Sequence, residues 1–90
     1  MSAVTFKQKT LTSSFRVDLE DGSLDYSFSE VLTTKKRVPY DRITGLFRDR
    51  ERCYLVWDGE VLQLLHEPRR KEYVDFLQEL IRRMKASRGA

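Results

Sequence analysis

Two Asp-Gly pairs, each set between stretches of alternating apolar residues, constrain this chain more than any other feature: Glu20-Asp21-Gly22-Ser23 and Trp57-Asp58-Gly59-Glu60. An Asp-Gly pair in that setting predicts a β-hairpin with a type I′ turn, whose two central residues both need φ > 0. A two-residue loop at Asp21-Gly22 puts Leu19 opposite Leu24, Val17 opposite Tyr26 and Phe15 opposite Phe28. All six then share one face, and Arg16, Asp18, Asp25 and Ser27 take the other. A slip of one residue would turn the whole apolar set into water, so turn chemistry and alternation agree on the register. Asp18 faces Asp25 at a small cost, which Arg16 offsets from a diagonal position.

The second pair predicts a hairpin of different character. A loop at Asp58-Gly59 puts Val56 opposite Val61, Leu55 opposite Leu62, Tyr54 opposite Gln63 and Cys53 opposite Leu64. One face holds Cys53, Leu55, Trp57, Leu62 and Leu64; the other holds Tyr54, Val56, Val61 and Leu65. Both are apolar. Such strands are either covered on both sides by a curled sheet or expose one face to a partner or a second copy.

Around these hairpins the chain reads as short strands and one helix. Val4 to Lys9 alternates as a first strand, with Lys7 and Lys9 guarding an edge. Thr10 to Ser14 is a loop, and Glu30 to Thr34 is a bulged continuation or a loop. Lys35–Val38 is a short strand at an edge or bend, since Pro39 cannot donate to a ladder. Tyr40-Asp41-Arg42 turns, and Ile43–Arg48 is a strand in which Gly45 marks a bulge or a close approach. Asp49-Arg50-Glu51 is a charged turn. Pro68 suits the first position of a helix. Tyr73, Val74, Phe76, Leu77, Leu80, Ile81 and Met84 fill one arc of about 160° at helical spacing. Glu79 and Arg83 stand in the favourable i, i+4 order. The spacing predicts a single domain over residues 1–90, with residues 1–3 and 87–90 as frayed ends.

Ninety residues with 40% apolar and 34% charged side chains have the balance of a small soluble domain. A chain of this size buries about 60–65% of the surface it exposes when unfolded, so it depends on good packing or on association. Met1 to Lys7 contains no apolar run of the kind that begins a secretory signal, and no stretch is long enough to span a bilayer. The single cysteine, Cys53, rules out an internal disulfide and suits a reducing cytoplasm. The net charge of +3 is spread along the chain, so nucleic acid is not an expected partner.

Seven short strands followed by one amphipathic helix resemble the pleckstrin-homology-like (PH-like) superfold, from about Val4 to Met84. The segment Arg37-Val38-Pro39-Tyr40-Asp41-Arg42-Ile43-Thr44-Gly45-Leu46 is similar to a stretch common in bacterial PH-like domains, and the strand, Asp-Gly turn, strand, helix ending is similar too. The resemblance implies a mainly β fold: a curled antiparallel sheet or barrel with the helix plugging one corner. Phosphoinositide-binding members carry three basic residues around the first hairpin. Lys9 and Arg16 match two of those positions, but Asp18 stands at the third, which argues against that mode of binding.

No constellation for catalysis stands out. His66 is the only histidine, Cys53 sits among apolar neighbours, and one His with one Cys makes no metal site. No catalytic residue, metal or cofactor is expected. The reading is a non-enzymatic binding or adaptor module acting through protein contact, with self-association included. Its contact surface is the open sheet edge and the face of Tyr54, Val56, Val61 and Leu65. The alternative is a peripheral binder of anionic lipid or phosphate through Lys35, Lys36, Arg37 and Arg42.

Overall fold

A computed structural model of the chain describes residues 4–88. The expected frayed ends at residues 1–3 and 89–90 lie outside them. Seven strands form two antiparallel sheets, ordered β1-β2-β3-β4 and β5-β6-β7, and one helix follows. The strands are Val4–Lys9 (β1), Ser14–Leu19 (β2), Ser23–Ser29 (β3), Thr33–Pro39 (β4), Ile43–Arg48 (β5), Arg52–Trp57 (β6) and Glu60–Leu65 (β7). A single 3-10 turn, Tyr40–Arg42, joins β4 to β5, and the helix α1 spans Lys71–Arg88. The expected curled barrel does not close: among the described residues the two sheets share no strand pairing. None of their helices is long and apolar enough to cross a membrane.

Both hairpin registers hold residue for residue. Leu19 pairs with Leu24, Val17 with Tyr26 and Phe15 with Phe28; Val56 pairs with Val61 and Leu55 with Leu62. The turns differ. Asp58 and Gly59 have φ of 46° and 79°, as a type I′ turn requires. Neither Asp21 nor Gly22 has a positive φ, so the first turn is not type I′. The Glu20 amide closes it on the Ser23 carbonyl at 2.9 Å, and distant groups bond to it as well. The Tyr40 amide donates to the Gly22 carbonyl at 3.2 Å. The Tyr40 hydroxyl and the Arg83 guanidinium donate to the Glu20 carbonyl at 2.6 and 2.8 Å.

The core lies between the two sheets and α1. Phe6, Val17, Leu19, Leu24 and Val38 come from the first sheet, Ile43, Cys53, Leu55, Trp57, Leu62 and Leu64 from the second, and Tyr73, Phe76, Leu77 and Leu80 from the helix. Phe6 stacks on Phe76 with ring centroids 4.8 Å apart. The helix begins three residues later than Pro68 implies. Pro68 sits instead at the second position of a turn closed by the Arg70 amide on the Glu67 carbonyl, 3.0 Å, a position that also favours proline. At its other end α1 runs through Ser87 and Arg88, where a frayed tail was expected, and the Arg88 guanidinium donates to the Ile43 carbonyl. Val74 and Ile81 lie at the margin of the apolar arc, and Ile81 is exposed.

The sheets are latched by side chains along β7. Lys36 on β4 reaches Glu60, 3.0 Å. The Tyr26 hydroxyl on β3 donates to the Gln63 carbonyl, 3.1 Å. Gln8 on β1 takes both backbone groups of Leu65: its Nε2 donates to the carbonyl at 2.7 Å and its Oε1 accepts from the amide at 2.9 Å. From Glu60 to Leu65, β7 thus meets β4, then β3, then β1. Five residues cover about 17 Å and three strand spacings about 14 Å, so β7 runs across the first sheet rather than along it.

Candidate binding surface

Alternation along β6 and β7 sets the surface. Cys53, Leu55, Trp57, Leu62 and Leu64 face the core and are buried. The opposite face carries Tyr54, Val56, Val61 and Leu65; Tyr54, Val56 and Leu65 are half-buried and Val61 keeps 54% of its surface exposed. Tyr54, Val56 and Val61 adjoin, because Val56 pairs with Val61 and Tyr54 with Gln63, whereas Leu65, paired with Arg52 at the strand end, packs against the core.

The structure adds Phe47, which strict alternation along β5 hides. Ile43 pairs with Trp57 and faces the core, so uninterrupted alternation would point Phe47 inward as well. A bulge between Ile43 and Gly45 resets the phase. Gly45 then pairs with Val56, Leu46 with Leu55 and Phe47 with Tyr54. Leu46 packs on the core, and Phe47 joins the outer face with 59% of its surface exposed. Its ring lies over Gly45, where a Cβ would come within 2.5 Å of Phe47 Cε2. The signal for this was the glycine itself, since a strand glycine that marks a bulge also inverts the residues after it. The charged turn before β6 is held by Asp49, whose Oδ1 accepts from the amides of Glu51 and Arg52 at 2.8 and 2.7 Å. These backbone bonds hold its carboxyl below the usual range.

The basic residues Lys35, Lys36, Arg37 and Arg42 do not form one cluster. Alternation along β4 puts Lys35 and Arg37 on the outer face of the first sheet and Lys36 on the inner. Lys36 pairs with Glu60, Arg37 with Asp25 at 2.9 Å, and Arg42 with Asp58 at 3.8 Å. Register groups other cations instead. Lys7 pairs with Arg16, Arg16 with Ser27 and Ser27 with Lys35, making one row across the outer face.

His66 Nδ1 lies 2.8 Å from the Tyr73 hydroxyl, and the two rings meet edge to face. Burial pushes the Tyr73 phenol and the Cys53 thiol above their ordinary pKa values, so neither ionises near neutral pH. Among the described residues, no group of three His, Cys, Asp or Glu side chains is placed to hold a metal. Trp57 and Tyr40 are both buried. Gln8 escaped the sequence reading, and Arg83 was read only as the i, i+4 partner of Glu79, a pair that forms at 2.7 Å; both are buried. No family model, curated protein or solved structure matches the chain.

Proposed function

We propose that this chain is a non-enzymatic binding module that acts through protein–protein contact, and that its contact surface is the outer face of the β5-β6-β7 sheet. The observation that carries this reading is the row formed by Phe47 and Tyr54 beside the row formed by Val56 and Val61, with the two end residues 59% and 54% exposed. A sheet needs only one apolar face to build a core, and this one has two. Large exposed aromatic and branched residues that adjoin one another are the usual material of an interface. The module has the PH-like form that the Arg37–Leu46 segment resembles. Four strands, three strands crossing them and a closing helix support that assignment.

The test uses the charge-neutral double variant Phe47→Thr/Val61→Thr, which keeps β-branched residues in both strands. Light scattering over a wide concentration range, with capture of partners from cell extract, compares it with the parent. The expected result is association, with itself or with a captured protein, that the double variant abolishes. A parent that stays monomeric and captures the same proteins as the double variant would remove this face from consideration.

A further inference from the structure

Strand β7 is an outer strand of its sheet, and its pairing with β6 fixes where each of its backbone groups points. The two-residue turn makes Trp57 and Glu60 a hydrogen-bonded pair, and every second pair after it is one too: Leu55 with Leu62 and Cys53 with Leu64. The amides and carbonyls of Val61, Gln63 and Leu65 therefore point away from β6, to the open edge. The latches on β7 have the same parity. Gln8 meets the amide and the carbonyl of Leu65, and the Tyr26 hydroxyl meets the carbonyl of Gln63. Gln8 thus does for Leu65 what a neighbouring strand would do. The amide and carbonyl of Val61 and the amide of Gln63 have no partner among the described residues. The two residues stand about 7 Å apart, the interval at which an antiparallel strand meets the groups of its neighbour.

These groups open onto an apolar floor. On the inner face of the first sheet Phe6, Val17, Tyr26 and Lys36 form one row. Gln8, Phe15, Phe28 and Thr34 form the next, about 7 Å nearer the β1–β2 and β3–β4 loops. β7 is tied to the first row at Lys36 and Tyr26 and to the second only at Gln8. Beyond β7 the second sheet has no further strand among the described residues, so none of its strands lies over Phe15 and Phe28, whose rings stand 5.0 Å apart. A cleft of about 570 Å³ lies there instead, between β7 at Val61 and Gln63 and the loop at Thr10 and Ser13. One strand spacing, about 4.8 Å, is less than the interval between the two rows, so the floor has room for one strand more. Arg52 borders the same cleft, and among the described residues no carboxylate pairs with it.

From this arrangement we infer that the β7 edge takes an extended segment of a partner protein as an added strand of the β5-β6-β7 sheet. The segment's backbone pairs with Val61 and with the Gln63 amide. Its alternate side chains point to opposite faces. Those facing the floor are apolar and pack on Phe15 and Phe28, and one between them is acidic and meets Arg52. This contact is separate from the outer face that holds Phe47, and it gives that sheet a second way to hold a protein. A second copy does not suit the edge. Two β7 strands paired antiparallel are related by a twofold axis perpendicular to their sheet, which puts both first sheets on the same side and in the same space. A bare strand meets no such obstacle.

Selection of displayed short random peptides on the immobilised full chain tests this. The strongest binder is then synthesised plain and with N-methyl groups on alternate backbone amides, in each of the two phases. Fluorescence anisotropy measures its binding to the parent, to Gln63→Pro and to Phe47→Thr. Gln63→Pro removes one edge donor and no hydrogen bond now made, and an edge strand tolerates proline there; circular dichroism checks that it folds. The expected result is enrichment of peptides with apolar residues at alternate positions and an acid between them. One phase of N-methylation should weaken binding on the order of tenfold or more and the other phase little, and Gln63→Pro should weaken it on the order of tenfold. Phe47→Thr should leave it unchanged, which separates failure of this inference from failure of the outer face. No enrichment, enriched peptides without an acid, or binding indifferent to both phases of N-methylation overturns the inference. So does binding that a folded Gln63→Pro leaves intact. A dimer that Gln63→Pro abolishes, with no peptide enriched, would assign the edge to a second copy instead.

Discussion

Gln8 and Arg83 are polar residues placed where apolar ones are usual, and each is buried where it bonds backbone groups of another element. The Gln8 amide covers both the amide and the carbonyl of Leu65 and also donates to Glu67 Oε2 at 2.8 Å. Gln8→Leu keeps the bulk but leaves those groups buried and unpaired, at an expected cost of roughly 1–3 kcal/mol. Lys36→Met breaks another latch on β7, but both partners are well exposed, and its expected cost is below about 1 kcal/mol. Denaturant unfolding of the two variants checks the order, and equal costs would show that the Gln8 latch carries no special weight. Arg83 donates to the carbonyls of Leu19 and Glu20 and to Glu79 Oε2. Arg83→Met should therefore cost roughly 2–3 kcal/mol.

The acid partner of Arg83 makes a pH prediction. Hydrogen bonds from Arg82 and Arg83 hold the Glu79 carboxyl down to about 2, against an ordinary value of 4.5. A carboxyl whose pKa is lower in the folded state adds stability above its unfolded pKa and loses it as pH falls through the folded one. The stability difference between the parent and Glu79→Gln should thus be constant above pH 4.5 and close as pH approaches 2. A difference that persists unchanged to the lowest pH would mean that the ionised carboxylate is not its source.

The two hairpins make a contrast at the level of the element. Gly59 has φ of 79°, so Gly59→Ala strains the turn and should cost more than about 1 kcal/mol. Gly22 has no positive φ, and a Cβ there meets nothing within 4 Å. Gly22→Ala should then stabilise by about 0.4–1 kcal/mol, because it restricts the unfolded chain. Thermal unfolding of the two variants, shifted in opposite directions, is the expected outcome. The same contrast marks the limit of what was legible. Alternation and hairpin loops are local, and they placed both registers and put Tyr54, Val56 and Val61 on one side, whereas Leu65 packs against the core. The geometry of the first turn depends on Tyr40 and Arg83, far along the chain. The helix start was ambiguous because proline serves a turn and a first helical position equally well. Phe47 was hidden because one extra residue at the bulge inverts the alternation. Lys35, Lys36 and Arg37 are neighbours in sequence and split by the pleat, while Lys7, Arg16 and Lys35 are distant in sequence and joined by register.

Across the whole molecule, the crossing of the sheets separates the two exposed apolar regions. The face with Phe47 and Val61 is the outer side of the β5-β6-β7 sheet, whereas Leu11, Val31 and Leu32 lie in loops at one end of the other sheet. No residue belongs to both, and the core between the sheets is closed without either. Substitutions at sites that share no partners act independently to within a few tenths of a kcal/mol. Phe47→Thr/Val61→Thr alters no charge and no core residue, so it should abolish protein contact and leave the fold intact. Leu11→Ser/Leu32→Ser, at exposed loop positions, should leave that contact intact, and the quadruple variant should lose it without further loss of stability. Light scattering and denaturant unfolding of the parent and these three variants check this. If Leu11→Ser/Leu32→Ser also weakened protein contact, the contact would extend from the outer face of the β5-β6-β7 sheet to the loops of the other sheet.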